Sequence, residues 1–204
     1  FCCISDPDLV SWTALLSAFF EQCQPEKALQ LYIVLPQDEL ATNHQTFLIA
    51  LQACGSLAEA EEATMIDGQL SKPRALSIGR GIHMDTLALG LGSSLFVGNT
   101  LISMYGKCGD LALANEVFRQ LPEQNAGSWN ALIGGYAIQN GREKEVFDIF
   151  EHMQKQRVEA DEDVYVTILQ VCCKIKDAER ASYFHANIIG SGYECDLVVG
   201  NALI

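Results

Sequence analysis

Residues 95–125 read LFVGNTLISMYGKCGDLALANEVFRQLPEQN, and the fold prediction starts from this stretch. Two amphipathic segments flank the sequence Gly-Lys-Cys-Gly at 106–109, which interrupts the apolar pattern. Gly109 suits a helix C-terminus, Asp110 suits the N-cap of the next helix, and Pro122 ends that helix. Neither helix is long enough to bury its apolar face alone, so the pair requires neighbours of its own kind.

The chain supplies these neighbours as internal repeats. Three kinds of segment recur in a fixed order: VGNTLI at 97–102 and VGNALI at 199–204, VSWTALL at 10–16 and GSWNALI at 127–133, TFLIALQAC at 46–54 and VYVTILQVC at 164–172. Self-similarity at a long period is typical of a solenoid. We therefore predict an all-α fold, a right-handed α-solenoid of antiparallel helix-turn-helix repeats without β-sheet.

Composition limits the classes of function that fit this chain. Of its 204 residues, 49% are hydrophobic, which is ample for a continuous core. The formal net charge is −13, from 26 acidic and 13 basic residues. A protein that holds nucleic acid mainly through phosphate contacts is usually basic, so the charge counts against that mode of binding. No run approaches the ~18 apolar residues of a membrane-spanning helix, so we expect no membrane partner.

The eight cysteines show no metal-site pattern. None is spaced C-x-x-C, and none pairs with histidine at zinc-finger spacing, so we expect no metal site and no cofactor. Cys54, Cys108 and Cys172 each lie near the end of a predicted first helix. A buried apolar role fits them best, and free thiols in such a role fit a reducing compartment.

Several phrases of the chain resemble the pentatricopeptide repeat family, in the land-plant subclass in which standard, long and short repeats alternate. They are SWNALIGGYAIQNG at 128–141, the whole of 95–125, and GNALI at 200–204, and the match extends over nearly the whole chain. The resemblance implies an organellar single-stranded RNA binder, located in the mitochondrion or the chloroplast. It further implies a factor that guides C-to-U editing or other transcript maturation, with other RNA-editing factors as partners.

The resemblance also divides the chain into repeats. We predict the end of a preceding repeat at 1–8, standard repeats at 9–43 and 126–161, long repeats at 44–94 and 162–196, a short repeat at 95–125, and the start of a truncated short repeat at 197–204. The first long repeat carries an insertion near 59–76, in the turn between its helices. Stacking surfaces do not accept insertions, so we expect this segment to project from the edge, and its deletion to leave the stack intact.

In the family one repeat reads one base through two residues. The first follows the aromatic residue or glycine of the opening Ser-Trp or Val-Gly pair, and the second is the last residue of the repeat. Carried onto this chain, the pairs are Thr13 with Asn43, Asn99 with Asn125, and Asn130 with Asp161, and the truncated repeat shows only Asn201. The long repeats place Leu48 and Val166 in the first slot, where an apolar side chain cannot read a base edge, so we expect spacers there.

The chemistry of these residues suits base recognition. Their short polar side chains would line one concave surface of a stack, where a splayed base presents its Watson–Crick edge. The Asp161 carboxylate only accepts, which suits the N3–H of uracil, whereas Asn43 and Asn125 can donate to adenine and cytosine. Val10 and Phe96 lie one turn before Thr13 and Asn99 and are expected to flank the bases by apolar contact.

Each of these residues also has a structural interpretation. Asn and Thr near helix starts are common caps. Trp12 and Trp129 lie at helical spacing with apolar residues and fit core packing better than base stacking. His83 and His185 occupy matching places and are interpreted as repeated packing residues. The acidic residues Glu59, Glu61 and Glu62 are interpreted as a solvated part of the insertion.

Two functional hypotheses follow. The first is the RNA-binding module, and the second is a protein-interaction scaffold of tetratricopeptide-like helix pairs, which the acidic balance favours. No H-x-E is followed by C-x-x-C, so the deaminase signature is missing from this sequence and we expect no catalytic residues in it. The chain begins at Phe1 without Met and stops at Ile204 inside a predicted helix, so we expect a fragment in which no transit peptide is visible.

Overall fold

A computed structural model describes residues 9–35, 44–66 and 69–190. Within these ranges the chain forms ten α-helices, and it divides into two compact units, residues 1–122 and 123–204. The first unit contains α1 (Leu9–Glu21), α2 (Pro25–Val34), α3 (His44–Ala60), α4 (Pro73–Ala88), α5 (Leu95–Cys108) and α6 (Leu111–Gln120). The second contains α7 (Ala126–Ala137), α8 (Glu143–Lys155), α9 (Glu162–Ile175) and α10 (Ala178–Gly190). The predicted helical-repeat class is confirmed, and the handedness of the array stays a prediction.

Most consecutive helices form pairs joined by turns of two to five residues: α1 with α2, α5 with α6, α7 with α8, and α9 with α10. Packed helices joined by such short turns run antiparallel. In the first unit α3 packs on α1 and α2 of the preceding pair and on α5 of the following pair. In the second unit α7 packs on α9. The first helices of neighbouring pairs therefore lie side by side within each unit.

The turn between α5 and α6 has the predicted chemistry. Gly109 adopts the left-handed region with φ 86°, which a residue with a Cβ enters only at a cost. Its N–H donates to the Gly106 carbonyl at 3.1 Å, and the Asp110 N–H donates to the Tyr105 carbonyl at 3.0 Å. Asp110 then caps α6, because its Oδ1 accepts from the Leu113 N–H at 3.1 Å.

The buried core coincides with the apolar periodicity of the sequence. The residues predicted to form the inward face of α5 are all at most 2% exposed: Val97, Leu101, Ile102 and Tyr105. Trp129 is 3% exposed, so the packing interpretation is confirmed for this residue, while Trp12 is half-buried. No helix in the described part of the chain is long and apolar enough to cross a membrane.

The three cysteines assigned an apolar role are buried, as predicted. The Cys54 thiol donates to the Ala75 carbonyl at 3.0 Å, and the Cys108 Sγ lies 3.7 Å from the Met104 Sδ. Burial raises the pKa of Cys172 to about 11, so this group is a thiol at neutral pH. A protonated, buried thiol is chemically inert and packs as a small apolar side chain.

The insertion is shorter than predicted. α3 continues to Ala60 and α4 begins at Pro73, so only residues 61–72 lie between the two helices. Thr64–Ile66 (β1) pairs antiparallel with Gln69–Ser71 (β2), in a register that places Thr64 opposite Ser71. The expectation of a chain without β-sheet is therefore wrong at this one two-stranded ribbon.

The two ends of the insertion, at Glu61 and Lys72, form hydrogen bonds with the neighbouring helices. The Glu61 carboxylate accepts from the backbone N–H groups of Arg74 at 3.0 Å and Ala75 at 2.9 Å, so it caps α4. The Lys72 ammonium donates to the carbonyls of Ala58 and Glu61 at the end of α3. The Lys72 N–H donates to the Cys108 carbonyl at the end of α5, at 3.1 Å.

These contacts correct two interpretations. Deletion of the whole 59–76 segment would remove the Glu61 cap, the Lys72 contacts and the first turn of α4. We therefore expect this deletion to destabilise the stack, contrary to the prediction from sequence. The acidic residues of the segment are also not uniformly solvated, because Glu61 caps a helix and Glu59 forms an ion pair. Glu62 is exposed, as the solvated interpretation predicts.

Candidate functional site

A groove of about 420 Å³ lies between the first helices α1, α3 and α5 of the first unit. Its apolar lining comes from Phe20, Leu51 and Met104. Its polar lining comes from α3 and α5 and consists of Gln52, Ser56, Asn99, Thr100, Ser103 and Lys107. We call this feature the first-helix groove. One of the predicted base-reading residues, Asn99, therefore lies on its wall.

The polar lining follows from helix geometry. Asn99, Ser103 and Lys107 are spaced four residues apart, so they share one face of α5 while the apolar residues between them enter the core. All three are half-buried, as expected of side chains at the wall of a groove. Gln52 and Ser56 repeat the same spacing on α3. Two neighbouring first helices thus present parallel polar stripes to one groove.

Lys107 is the one cation among the residues that line this groove. Its aliphatic stem crosses α3 at Gly55, where a Cβ would lie 3.2 Å from the Lys107 Cδ. Its Nζ lies 2.8 Å from the Oε1 of Glu59, one helical turn beyond Gly55. The absence of a side chain at position 55 therefore gives the lysine room to reach that carboxylate.

Thr13 is buried and does not face solvent, as a residue that contacts a base would. The residue is only 7% exposed, and its Oγ1 lies 3.1 Å from the Oγ1 of Thr46. This hydrogen bond joins α1 to α3 inside the packed layer. A base could reach the Thr13 hydroxyl only if the two helices shifted, so a direct contact by this residue stays a prediction.

The last residues of two repeats act as helix caps. The Asn125 Oδ1 accepts from the N–H of Ser128 at 3.0 Å and from its hydroxyl at 3.1 Å, at the start of α7. The Asp161 Oδ1 accepts from the Val164 N–H at 3.1 Å, at the start of α9. The capping interpretation is confirmed for Asn125, whereas the cap formed by Asp161 was not predicted. The Asp161 carboxylate can accept further hydrogen bonds, because an ionised carboxylate has about four acceptor sites.

The remaining predicted residues divide into exposed and undescribed ones. Val10 and Phe96, in the first turns of α1 and α5, are 73% and 74% exposed. Asn130 is half-buried on α7. Asn43 and Asn201 lie outside the residues that the structure describes. Apolar contact with bases through Val10 and Phe96 remains a prediction.

Two family models match segments of this chain. The PPR repeat model matches residues 10–38 and 99–125, and the PPR repeat family model matches residues 124–174. Together these segments make up slightly more than half of the 204 residues. The chain belongs to the pentatricopeptide repeat (PPR) family. The family prediction is confirmed, and the assignment to the subclass with alternating repeat lengths stays a prediction.

Curated PPR relatives are much longer than this chain. A mitochondrial PPR-containing protein of Arabidopsis thaliana is 30% identical over 201 residues, which are 98% of this chain and 18% of that protein. A chloroplastic one from the same plant is 32% identical over 199 residues, 98% of this chain and 34% of that protein. The chain therefore spans about a fifth to a third of the length of these relatives.

Solved PPR structures share the fold of this PPR chain. The PPR domain of Arabidopsis thaliana protein-only RNase P 1, solved in complex with tRNA, gives a TM-score of 0.62 at 14% identity, with 96% of both chains covered. The PPR protein PPR10 from maize gives 0.57 at 17% identity, with 96% of this chain and 31% of that chain covered. At such low identity the likeness establishes the helical-repeat fold and nothing finer.

Sequence reasoning in terms of PPR repeats missed five polar residues of the groove: Gln52, Ser56, Thr100, Ser103 and Lys107. They were missed because only two slots per repeat were considered. The signal was nevertheless present, since stepping four residues along α5 from Asn99 reaches Ser103 and then Lys107. The partner of Lys107, Glu59, could not be found in this way, because it belongs to another repeat.

The two histidines in matching places behave differently. The His83 Nδ1 lies 2.9 Å from the Tyr105 hydroxyl, and burial lowers the pKa of His83 below its ordinary value. The packing interpretation is therefore confirmed for His83. It is wrong for His185, which is exposed on α10. The two residues lie in different units, and neither belongs to the first-helix groove.

Proposed function

We propose that this chain is a sequence-specific, single-stranded RNA-binding module of an organellar RNA-processing factor. The first-helix groove carries this proposal, because side chains able to bond base edges stand there beside one cation. Single-stranded RNA is recognised through splayed bases whose edges accept and donate hydrogen bonds. Structures of PPR10 with an 18-nucleotide psaJ RNA element and of the RNase P 1 domain with tRNA support RNA as the ligand class.

The finer part of the proposal is one base per repeat, with the repeat boundaries predicted above. Asn99 with Asn125 would read cytosine, with uracil second, and Asn130 with Asp161 would read uracil. Thr13 with Asn43 would read adenine. The long repeats at 44–94 and 162–196 would act as spacers, since they carry Leu48 and Val166 in the reading slot.

The net charge defines how such a module would bind. With a formal charge of −13, the chain cannot rely on many phosphate contacts. Phosphate contacts position a nucleic acid, whereas base contacts specify its sequence. Lys107 would supply one phosphate contact in the groove, and the polar stripes of α3 and α5 would supply base contacts. Binding of this kind would be selective but of moderate strength.

The cellular setting is proposed from the relatives. The names of similar proteins place one in the mitochondrion and others in the chloroplast. We propose an organellar location for this chain too, with C-to-U editing or another step of transcript maturation as the process. Other RNA-editing factors would then be its protein partners, and the chemistry of the modification would belong to another domain or protein.

A protein-interaction scaffold is the second candidate function. It is favoured by the acidic charge and by a second groove of about 410 Å³ between α4, α5 and α6. Met84 and Leu87 line this second groove and are 64% and 46% exposed. Exposed apolar side chains around a concave surface are typical of sites that bind proteins.

RNA binding by the wild-type chain and one variant separates the two candidates. Fluorescence anisotropy would measure the affinity for a short labelled RNA in single-stranded and in duplex form. Its bases are adenine, any base, cytosine, uracil and any base, in this order. We expect preference for the single strand, and roughly tenfold weaker binding for Asn99→Ala, because one base-edge contact is worth about 1–3 kcal/mol. Gln30→Ala, at an exposed position of α2, is the control and should bind like wild type. Equal affinity for both RNA forms, with no effect of Asn99→Ala, would favour the scaffold.

A further inference from the structure

Lys107, which lines the first-helix groove, forms an ion pair with Glu59 of α3. The Lys107 Nζ lies 2.8 Å from the Glu59 Oε1, and the lysine stem is seated over Gly55. Gly55 and Glu59 are four residues apart, so they lie on the same face of α3. α3 thus provides both the space for the lysine and the charge that holds it.

Helix stability does not account for the position of Glu59. The residue is the last but one of α3, where the negative end of the helix dipole disfavours a carboxylate. The carbonyls at this helix end are instead bonded by the Lys72 ammonium. The contact with Lys107 is therefore the favourable interaction that the structure gives to the Glu59 carboxylate.

The pair is also open to exchange. The side chain of Glu59 is 60% exposed and that of Lys107 is 34% exposed. An ion pair in contact with water is weak, so another anion can displace the carboxylate at little cost. A phosphate that enters the groove would meet an ammonium group that is already oriented but partly neutralised.

We propose that Glu59 competes with RNA phosphate for Lys107 and so lowers the affinity of the first-helix groove for RNA. This inference rests on the proposed function, since it assumes that RNA occupies the groove. Glu59, which belongs to the repeat at 44–94, regulates a cation of the repeat at 95–125. A repeat expected to act as a spacer would thus tune its neighbour without reading a base.

The test is Glu59→Gln, which keeps the size of the side chain and removes its charge. We expect the 204-residue chain to bind the single-stranded RNA about two- to fivefold more tightly, the range that an exposed ion pair allows. The plot of log affinity against log salt should become steeper by about 0.7, the value for one more neutralised phosphate on a single strand. Thermal unfolding should be nearly unchanged.

The matched control is Glu151→Gln in the second unit. The Glu151 side chain is 64% exposed and pairs with Lys155 at 3.7 Å, so this change removes the same charge from a similar ion pair that does not line the groove. It measures the gain in RNA affinity that comes from removing one negative charge anywhere on the protein. In a Lys107→Gln background, Glu59→Gln should give no gain beyond this control.

The outcomes distinguish the two proposals. Weaker binding by Glu59→Gln, or binding equal to that of Glu151→Gln, would overturn the competition while leaving RNA binding in place. A gain that persists in the Lys107→Gln background would also overturn it. Absence of RNA binding by the wild type and all variants would overturn the proposed function and this inference with it.

Discussion

Asp161 caps a helix in the structure and is also the residue proposed to read a base. The last residue of a PPR repeat is also the residue that precedes the next first helix, so the base-reading slot and the N-cap coincide. Asp161 caps α9 through one carboxylate oxygen, as Asn125 caps α7. The sequence analysis named only the base-reading role for Asp161, although the same short polar side chain also suits an N-cap.

The substitution Asp161→Asn separates the two roles. Asn and Asp are similarly good N-caps, so the melting temperature should stay within a few degrees of wild type. The amide adds a donor where the carboxylate only accepts. We therefore expect preference at the corresponding base to move from uracil toward cytosine by about 1 kcal/mol, measured by anisotropy with the two RNAs at fixed salt.

The control for this prediction is Asp177→Asn. Asp177 caps α10 by accepting from the Arg180 N–H at 3.0 Å, but it lies at the start of a second helix. It should leave base preference unchanged. Unchanged discrimination between uracil and cytosine in Asp161→Asn would show that Asp161 is a cap and nothing more. Thr13→Ala is a poorer test, because it also removes the Thr13–Thr46 hydrogen bond between α1 and α3.

At the scale of elements, the helices were predictable and the ribbon was missed. Apolar periodicity and turn residues located the helix pairs, since each pair is a local unit. The ribbon also had a local signal, because Asp67-Gly68 between Thr-Met-Ile and Gln-Leu-Ser is a common hairpin sequence. The Lys72 contact with Cys108 had no such signal, because it joins two repeats in space.

The strands of the ribbon and the Glu61 cap at its base should contribute differently to the stability of the fold. Replacing residues 65–70 by Asn-Gly would join the paired residues Thr64 and Ser71 through a two-residue turn. We expect the helix content and melting temperature of this variant to stay close to wild type. Glu61→Ala should instead reduce the free energy of unfolding by about 1 kcal/mol, because α4 loses its cap.

Circular dichroism and urea unfolding would measure both variants. Glu62→Ala is the control, since Glu62 is exposed beside Glu61 and should have little effect. A large loss of helicity in the shortened ribbon would mean that the strands themselves support the stack. No difference between Glu61→Ala and Glu62→Ala would show that the cap contributes nothing measurable.

At the scale of the whole molecule, the acidic charge sets the salt dependence of binding. Each phosphate neutralised on a single strand contributes about −0.7 to the slope of log affinity against log salt. Lys107 is the one cation lining the first-helix groove, and the chain carries twice as many acidic as basic residues. We expect a shallow slope, roughly −1 to −2, for wild-type binding to the single-stranded RNA.

Anisotropy titrations at several potassium chloride concentrations would measure this slope. A slope of about −4 or steeper would mean that phosphate contacts dominate, against the proposed reading of base edges. Composition alone is enough for this prediction, because a weak electrostatic contribution depends on counts of charges. Composition could not locate the first-helix groove, because its wall is assembled from repeats that are distant in sequence.

The Lys72 contacts have a mechanical consequence. A solenoid pulled from its ends tends to unravel one repeat after another, because each repeat touches only its neighbours. Lys72 follows α3 in sequence. Its ammonium group donates to carbonyls at the end of that helix, and its backbone N–H donates to a carbonyl at the end of α5. Under tension the two helix pairs would share the load at this lysine and give way together. The stretch from His44 to Gln120 would then behave as one mechanical segment within a serial array.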